Sequence, residues 1–155
     1  MKLESLCEFF ATDFYLGKLP YKFTGKYYGG GTIGTFVGLL LALLMPDNNW
    51  IYLAIVLILT AFSIFTAHKT SVLYSTGDDQ RIIIDETVGY LIGLAFLPRT
   101  MNYLIISFIF FRFYDGLKPW PIKWLDKNLK GGLGITVDDL AAGIFANVTI
   151  RIFMH

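Results

Sequence analysis

Five apolar stretches divide the chain, and short polar runs separate them. They cover residues 33–45, 50–67, 82–97, 101–113 and 137–153. A helix that spans a bilayer needs about 20 apolar residues, with a lower limit of about 17, and only the second stretch meets this length without its polar ends. The pattern therefore predicts an all-α bundle of about five apolar helices, which either spans a membrane or forms the core of a soluble protein.

The composition favours the membrane interpretation. Hydrophobic residues make up 55% of the chain, charged residues only 16%, and the mean hydropathy is +0.56, whereas soluble domains are about 45–50% apolar and about 25% charged. The 14 Phe, 9 Tyr and 3 Trp suit a bilayer boundary. A length of 155 residues predicts one domain, 1–155, in which residues 1–28 form an interfacial arm. The net charge of +1 gives no sign of a nucleic-acid partner.

The basic residues are distributed unevenly between the polar segments. If all five stretches cross a membrane, eleven of the 13 Lys and Arg residues lie on one side and only Arg99 and Arg151 on the other. The eleven are Lys2, Lys18, Lys22, Lys26, Lys69, Arg81, Arg112, Lys118, Lys123, Lys127 and Lys130. Cytoplasmic loops carry such an excess, so we expect this side to face the cytoplasm and the turns at 46–49 and 98–100 to lie outside.

Two pairs of adjacent carboxylates open apolar stretches. Asp85 and Glu86 follow three isoleucines, and Asp138 and Asp139 precede a run of small apolar residues. Acids in such surroundings are costly unless they are paired or bind a metal, although either pair alone could simply complement a helix dipole. Two pairs on the same predicted side suggest a shared Mg²⁺ or Mn²⁺, which oxygen ligands favour. The histidines and the single cysteine lack zinc-like spacing.

Basic residues and glycine turns accompany the acids. Arg112, Asp115 and Lys118 share a face at a spacing of three if the helix continues to the proline, which would set two cations beside one carboxylate. Such a group suits a metal-bound phosphate or, alternatively, an interfacial ion pair. The glycine-rich turns at 29–31 and 131–134 could cradle phosphate with backbone N–H groups or could be flexible entry turns. Neither contains a Walker sequence or a dinucleotide fingerprint.

Several of these segments together resemble the phosphatidylglycerophosphatase A family. The resemblance covers about residues 29–146 and is most specific from 112 to 139. It rests on residues 31–35, His68, Asp78, residues 84–89, residues 111–122, Asp126, Gly131, Gly132, Gly134, Asp138, Asp139 and Gly143.

The resemblance implies an all-helical, Mg²⁺-dependent enzyme at the inner face of a bacterial membrane. It would hydrolyse phosphatidylglycerophosphate, an anionic phospholipid, to phosphatidylglycerol and phosphate by direct attack of metal-activated water. The expected metal ligands are Asp85, Glu86, Asp138, Asp139 and Asp78, and Asp115 joins the catalytic carboxylates. The expected phosphate-binding residues are Arg112, Lys118, Thr32, Gly31 and Gly132. His68 is a candidate acid for the leaving alkoxide or, alternatively, makes a structural hydrogen bond.

Two other functional classes fit parts of the sequence. A membrane alcohol phosphotransferase of the CDP-alcohol type also holds metal with helical aspartates, but its D-G-x-x-A-R pattern fails because Leu117, Lys118 and Pro119 follow Asp115-Gly116. A non-enzymatic ion carrier could use the same acids as an ion site. The P-S-G-H string of another lipid phosphatase class is absent. The expected partners are the lipid substrate and the bilayer, with a homo-oligomer as a further option.

Overall fold

The described residues, 3–25, 28–77 and 79–154 of a computed structural model, fold into helices and connecting turns. Within them lie eight α-helices. They are α1 (Leu3–Ala11), α2 (Leu19–Thr24), α3 (Gly30–Leu44), α4 (Asn49–Tyr74), α5 (Ile84–Gly93), α6 (Met101–Leu117), α7 (Ile122–Asn128) and α8 (Gly131–Phe153). A short 3-10 turn, Leu16–Lys18, precedes α2. The all-α prediction is confirmed for this part of the chain, which contains no strand.

The lengths of the apolar helices differ from the predicted stretches. Helices α4 and α8, with 26 and 23 residues, are the two described helices long and apolar enough to cross a membrane, by length and composition only. Helix α3 is shorter, with 15 residues. Helix α5 has only 10 residues, so it rises about 15 Å, which is half of a bilayer core of about 30 Å. The predicted stretch 82–97 is therefore not one continuous spanning helix, because its last residues form turns after Gly93.

Helices α5 and α8 cross in backbone contact, and glycine makes this crossing possible. A Cβ atom on Gly143 would collide with the carbonyl oxygen of Gly89, and one on Gly89 would lie 2.8 Å from the carbonyl oxygen of Asp139. Helix α3 approaches α5 in the same way, because a Cβ on Gly34 would meet the Ile83 carbonyl oxygen. Small residues at a helix crossing let the two backbones approach closely, and the crossing of α5 and α8 places both acidic helices side by side.

The N-terminal arm folds back on the bundle. Helix α1 packs against α4, and the Ile83 N–H donates a hydrogen bond of 2.9 Å to the Ala11 carbonyl oxygen. A Cβ on Gly17 would collide with the Arg81 carbonyl oxygen. The arm therefore contacts the segment that leads directly into α5.

The two ends of the bundle have different chemistry. At one end, Arg99 donates a hydrogen bond of 2.6 Å to the Pro46 carbonyl oxygen and lies 3.5 Å from the Asp47 carboxylate. Arg151 donates to the carbonyl oxygens of Ala95 and Phe96 at the same end. The turns at 46–49 and 98–100 thus lie together at the end of α3 away from Gly31.

Candidate active site

Three carboxylates from two helices form a cluster at the crossing of α5 and α8. Oxygen atoms of Asp85, Glu86 and Asp139 all lie within 4.8 Å of one another. Asp85 and Asp139 are 5% and 4% exposed, and the Asp115 carboxyl of α6 lies next to Asp139. Three carboxylates this close, with Asp85 and Asp139 buried and Glu86 half-buried, repel one another when ionised, so they require protons or a cation. The prediction that the two acidic segments meet is thereby confirmed for these residues.

The donor set of this cluster fits a hard divalent cation. Its ligand atoms are carboxylate oxygens, which Mg²⁺ and Mn²⁺ prefer over softer metals. The buried Oε2 of Glu86 has no hydrogen-bond partner among the described residues. A buried acceptor without a partner is costly, and a bound cation would remove that cost. The residues that would hold it are Asp85, Glu86 and Asp139.

The helix dipole does not explain both acidic pairs. Helix α8 begins at Gly131 with Lys130 as its N-cap, six residues before the predicted start of the fifth stretch. Asp138 and Asp139 therefore lie beyond the first turn, where the dipole effect has faded. Thr136 likewise lies inside the helix, with its Oγ1 3.2 Å from Ser63 Oγ. Asp85 and Glu86 do lie in the first turn of α5.

Arg112 borders the cluster on its open side. Its Nη1 lies 2.7 Å from Asp115 Oδ2, one helical turn along α6. A Cβ on Gly31 would collide with Glu86 Oε1 and would lie 2.7 Å from Arg112 Nη1. The first turn of α3, the arginine and the acid cluster therefore meet at one place. A cavity of about 200 Å³ opens there, and Tyr28, Gly29, Gly30, Gly31, Gln80, Ile82, Glu86 and Arg112 line it.

Lys118 leaves the face that the sequence predicted for it. Helix α6 ends at Leu117, because Pro119 disfavours a helical residue before it. Lys118 takes a left-handed conformation with φ 45°. Its Nζ donates hydrogen bonds of 2.7 Å to Asp126 Oδ1 and to Asp138 Oδ2. The prediction that both Arg112 and Lys118 lie beside Asp115 is therefore wrong. Arg112 pairs with Asp115, whereas Lys118 joins α7 to α8.

The charge of Lys118 is held in place by this pairing. Burial alone would lower the pKa of Lys118, but the hydrogen bonds to Asp126 and Asp138 outweigh it and raise the pKa above its ordinary value. The ammonium group therefore stays charged and keeps Asp138 directed toward α7. The sequence did not predict the partnership with Asp126, because the two residues lie eight positions apart across a proline turn.

Thr32, Gly132 and His68 are not among the residues that form the cluster. Thr32 is exposed in the first turn of α3. Gly132 is buried where α8 crosses α4, and a Cβ there would collide with the Ile64 carbonyl oxygen and lie 2.8 Å from His68 Cβ. His68 is exposed beside Gly131 and belongs to no described group of three potential metal ligands. Asp78 lies outside the described residues.

A larger cavity lies at the opposite end of the bundle. It has a volume of about 470 Å³, and Asp47, Asn49, Phe96, Leu97, Pro98 and Arg99 line it. Only one of these residues is acidic. We place the chemistry at the smaller cavity because the carboxylate cluster and Arg112 are found there.

The fold and the site define an all-helical protein whose buried carboxylates and adjacent arginine suit metal-assisted chemistry on a phosphate group. A sequence model of the family Phosphatidylglycerophosphatase A matches residues 9–154. The chain belongs to this family, as its resemblance predicted, and is an enzyme of the phosphoric monoester hydrolase class.

Named relatives agree with this assignment. The chain is 33% identical to phosphatidylglycerophosphatase A of Escherichia coli over 118 residues, which cover 75% of this chain and 69% of the relative. It is 33% identical to the protein of the same name from Haemophilus influenzae over 122 residues, covering 78% and 74%. A putative phosphatidylinositol-3-phosphatase of Bacteroides thetaiotaomicron is 30% identical over 128 residues, covering 79% of each chain. No solved structure is significantly similar to the chain.

Proposed function

We propose that this protein hydrolyses the phosphate monoester of phosphatidylglycerophosphate, with Mg²⁺ held by Asp85, Glu86 and Asp139. The observation that carries the proposal is the carboxylate cluster, whose oxygens lie within 4.8 Å of one another, beside the Arg112 guanidinium. Membership of the phosphatidylglycerophosphatase A family supports the substrate. When bound, Mg²⁺ neutralises phosphoryl oxygens and makes water more acidic.

The residues around the cluster suit a phosphate monoester. Arg112 can offer a planar pair of N–H donors to phosphate oxygens, and it lies against the first turn of α3. The free N–H groups of that turn add partial positive charge, which supports the predicted roles of Gly31 and Thr32. In the reaction, a water oxygen bonds to phosphorus, the bond from phosphorus to the glycerol oxygen breaks, and that oxygen takes up a proton. The products are inorganic phosphate and a lipid alcohol.

A panel of lipid phosphates tests the substrate. We expect purified protein with Mg²⁺ to release phosphate from phosphatidylglycerophosphate with a kcat/KM at least about tenfold higher than from phosphatidic acid or phosphatidylinositol 3-phosphate, which corresponds to about 1.4 kcal/mol of discrimination. The measurement is released phosphate in mixed micelles. Preference for the phosphoinositide would instead favour the activity that the Bacteroides relative is named for. Release from none of the lipids would contradict the phosphatase proposal.

The exposed apolar surface supports a position in the membrane. Large apolar side chains face outward on α3, α4, α6 and α8. Examples are Ile58 at 70% exposure, Leu44 at 83% and Ile152 at 68%. Water disfavours contiguous apolar surface of this extent, whereas lipid does not. The exposed side chains of Trp120 and Trp124 also support this position, because they lie next to lysines around α7, as tryptophans do at a membrane interface. We infer a multi-pass protein of a bacterial inner membrane with the acid end toward the cytoplasm.

Reporter fusions test this orientation. We expect a reporter fused after residue 125 to lie in the cytoplasm and a reporter inserted at residue 48 to lie outside. The reason is that the basic residues predicted at the outer end are only Arg99 and Arg151. A fluorescent and an enzymatic reporter at each position serve as reciprocal controls. An outside location for residue 125 would contradict the charge argument.

A further inference from the structure

A buried carboxyl outside the carboxylate cluster contacts α5, the helix that carries Asp85 and Glu86. Asp13 is 5% exposed and lies in the turn after α1, where Asp13, Phe14 and Tyr15 all have positive φ. Three consecutive left-handed residues other than glycine are strained, at about 1–2 kcal/mol each. The turn directs Phe14 and Tyr15 to the surface, with 56% and 40% exposure, while Asp13 points inward.

The Asp13 carboxyl contacts the residue that follows Glu86. Thr87 Oγ1 lies 2.5 Å from Asp13 Oδ2 and 2.7 Å from the carbonyl oxygen of Gly34. A threonine hydroxyl has one proton to donate, so it cannot donate to both acceptors. If Asp13 carries a proton, the acid donates to Thr87, and Thr87 donates to Gly34. Both short contacts are then satisfied.

We infer that Asp13 is a positioning residue that acts as a neutral acid: through Thr87 it joins α3 to α5 and sets the orientation of Asp85 and Glu86. This inference rests on the proposed function. The N-cap of α5, Ile83, makes no side-chain cap. The Ile83 N–H instead bonds to Ala11, in the same arm as Asp13. The arm thus holds the first turn of α5 at two points.

The surroundings of Asp13 favour its neutral form. Burial raises the pKa of Asp13 to about 7, and the Thr87 hydrogen bond lowers it only in part. On its own arm, the charged neighbours Glu8 and Lys18 pair with each other at 2.6 Å. The packed segment before α5 presents Asp79 and Arg81, which also pair, at 2.7 Å. Helix α5 presents Asp85 and Glu86, and α3 contains no charged residue.

The pH dependence of unfolding has a definite sign. Between pH 3.8, the ordinary pKa, and about 7 only the folded protein keeps this proton. The contribution of Asp13 to the free energy of unfolding therefore falls as pH rises through this window and levels off above it. Asp13→Asn is permanently neutral, and asparagine tolerates a left-handed backbone. We expect the Tm of Asp13→Asn minus that of wild type to rise by at least about 4 °C across the window.

The same substitution tests the coupling to catalysis. We expect the kcat ratio of Asp13→Asn to wild type to rise about threefold or more between pH 6 and 8.5, with KM little changed. Thr12→Val is the matched control: Thr12 is buried in the same turn, but its bonds to described residues stay within the arm, since its hydroxyl donates to the Glu8 carbonyl oxygen and accepts from the Tyr15 N–H. Its pH profiles should parallel those of wild type.

Two outcomes would overturn the inference. The first is a Tm difference, or a kcat ratio, between Asp13→Asn and wild type that does not change with pH. The second is a pH-dependent gain in kcat that persists when Asp13→Asn is made in a Thr87→Val background, since the route through Thr87 is then absent. The gain in Tm should persist there, because burial itself raises the pKa of Asp13. The unfolding measurement uses no substrate, so it decides the protonation of Asp13 even if the phosphatase proposal fails.

Discussion

Asp139→Asn is expected to lower kcat by about 100-fold or more, the scale of losing one strong transition-state contact. The substitution keeps the shape of the side chain and removes one anionic ligand from the cluster of Asp85, Glu86 and Asp139. Folding should survive, because removing a charge from three crowded carboxylates relieves repulsion and opens no cavity. We expect the same result for Asp85→Asn. The measurement is phosphate release under saturating lipid, with thermal unfolding of each variant as the check on folding.

Asp47→Asn is the matched control for this experiment. The chemical change is identical, but Asp47 is fully exposed at the other end of the bundle and lies 3.5 Å from Arg99. Exposed ion pairs contribute little to stability, so kcat and Tm should both stay close to wild type. Full activity in both Asp85→Asn and Asp139→Asn would refute the shared metal site.

Removal of divalent cations is expected to abolish turnover. Dialysis against EDTA should reduce phosphate release to background, and Mg²⁺ or Mn²⁺ should restore it, because the available ligands are hard carboxylate oxygens. Binding to the folded state alone also stabilises it by mass action. Mg²⁺ should therefore raise the Tm of the wild-type protein and should raise that of Asp85→Asn much less.

The comparison of the two Tm shifts tests whether the cation binds at Asp85. If Mg²⁺ raised the Tm of wild type and Asp85→Asn equally, the cation would bind elsewhere. Turnover that persisted in EDTA after extensive dialysis would remove the metal from the mechanism.

The sequence predicted the meeting of the two acidic segments but not the role of each acid. Acids beside long apolar runs are informative because burial without a partner is costly. Adjacent helical residues, however, point about 100° apart, so a pair can join the cluster with both members, as Asp85 and Glu86 do, or with one member only. The structure places Asp139 in the cluster and joins Asp138 to Lys118. This division depends on the end of α6 and on Asp126, which lie in other elements.

The sequence predicted which apolar helices form better than it predicted where each helix begins and ends. The apolar pattern indicated the fifth helix only from residue 137, whereas α8 begins at Gly131, since its first turns are rich in glycine and polar residues. The N-terminal arm has no long apolar stretch, and its structure depends on tertiary contacts such as the hydrogen bond between Ile83 and Ala11. Local sequence carries no signal for such contacts.

The unequal lengths of the helices have a consequence for the surrounding lipid. In the proposed membrane arrangement, α3 and α6 rise only about 22 and 26 Å, whereas α4 rises about 39 Å. Such mismatch is relieved by thinning of the bilayer beside short helices and by tilting of long ones. Thinning beside α3 would bring the headgroup layer deeper, toward the cavity at Gly31 and Arg112. A lipid phosphate would then reach the carboxylates while its acyl chains remained in their own leaflet.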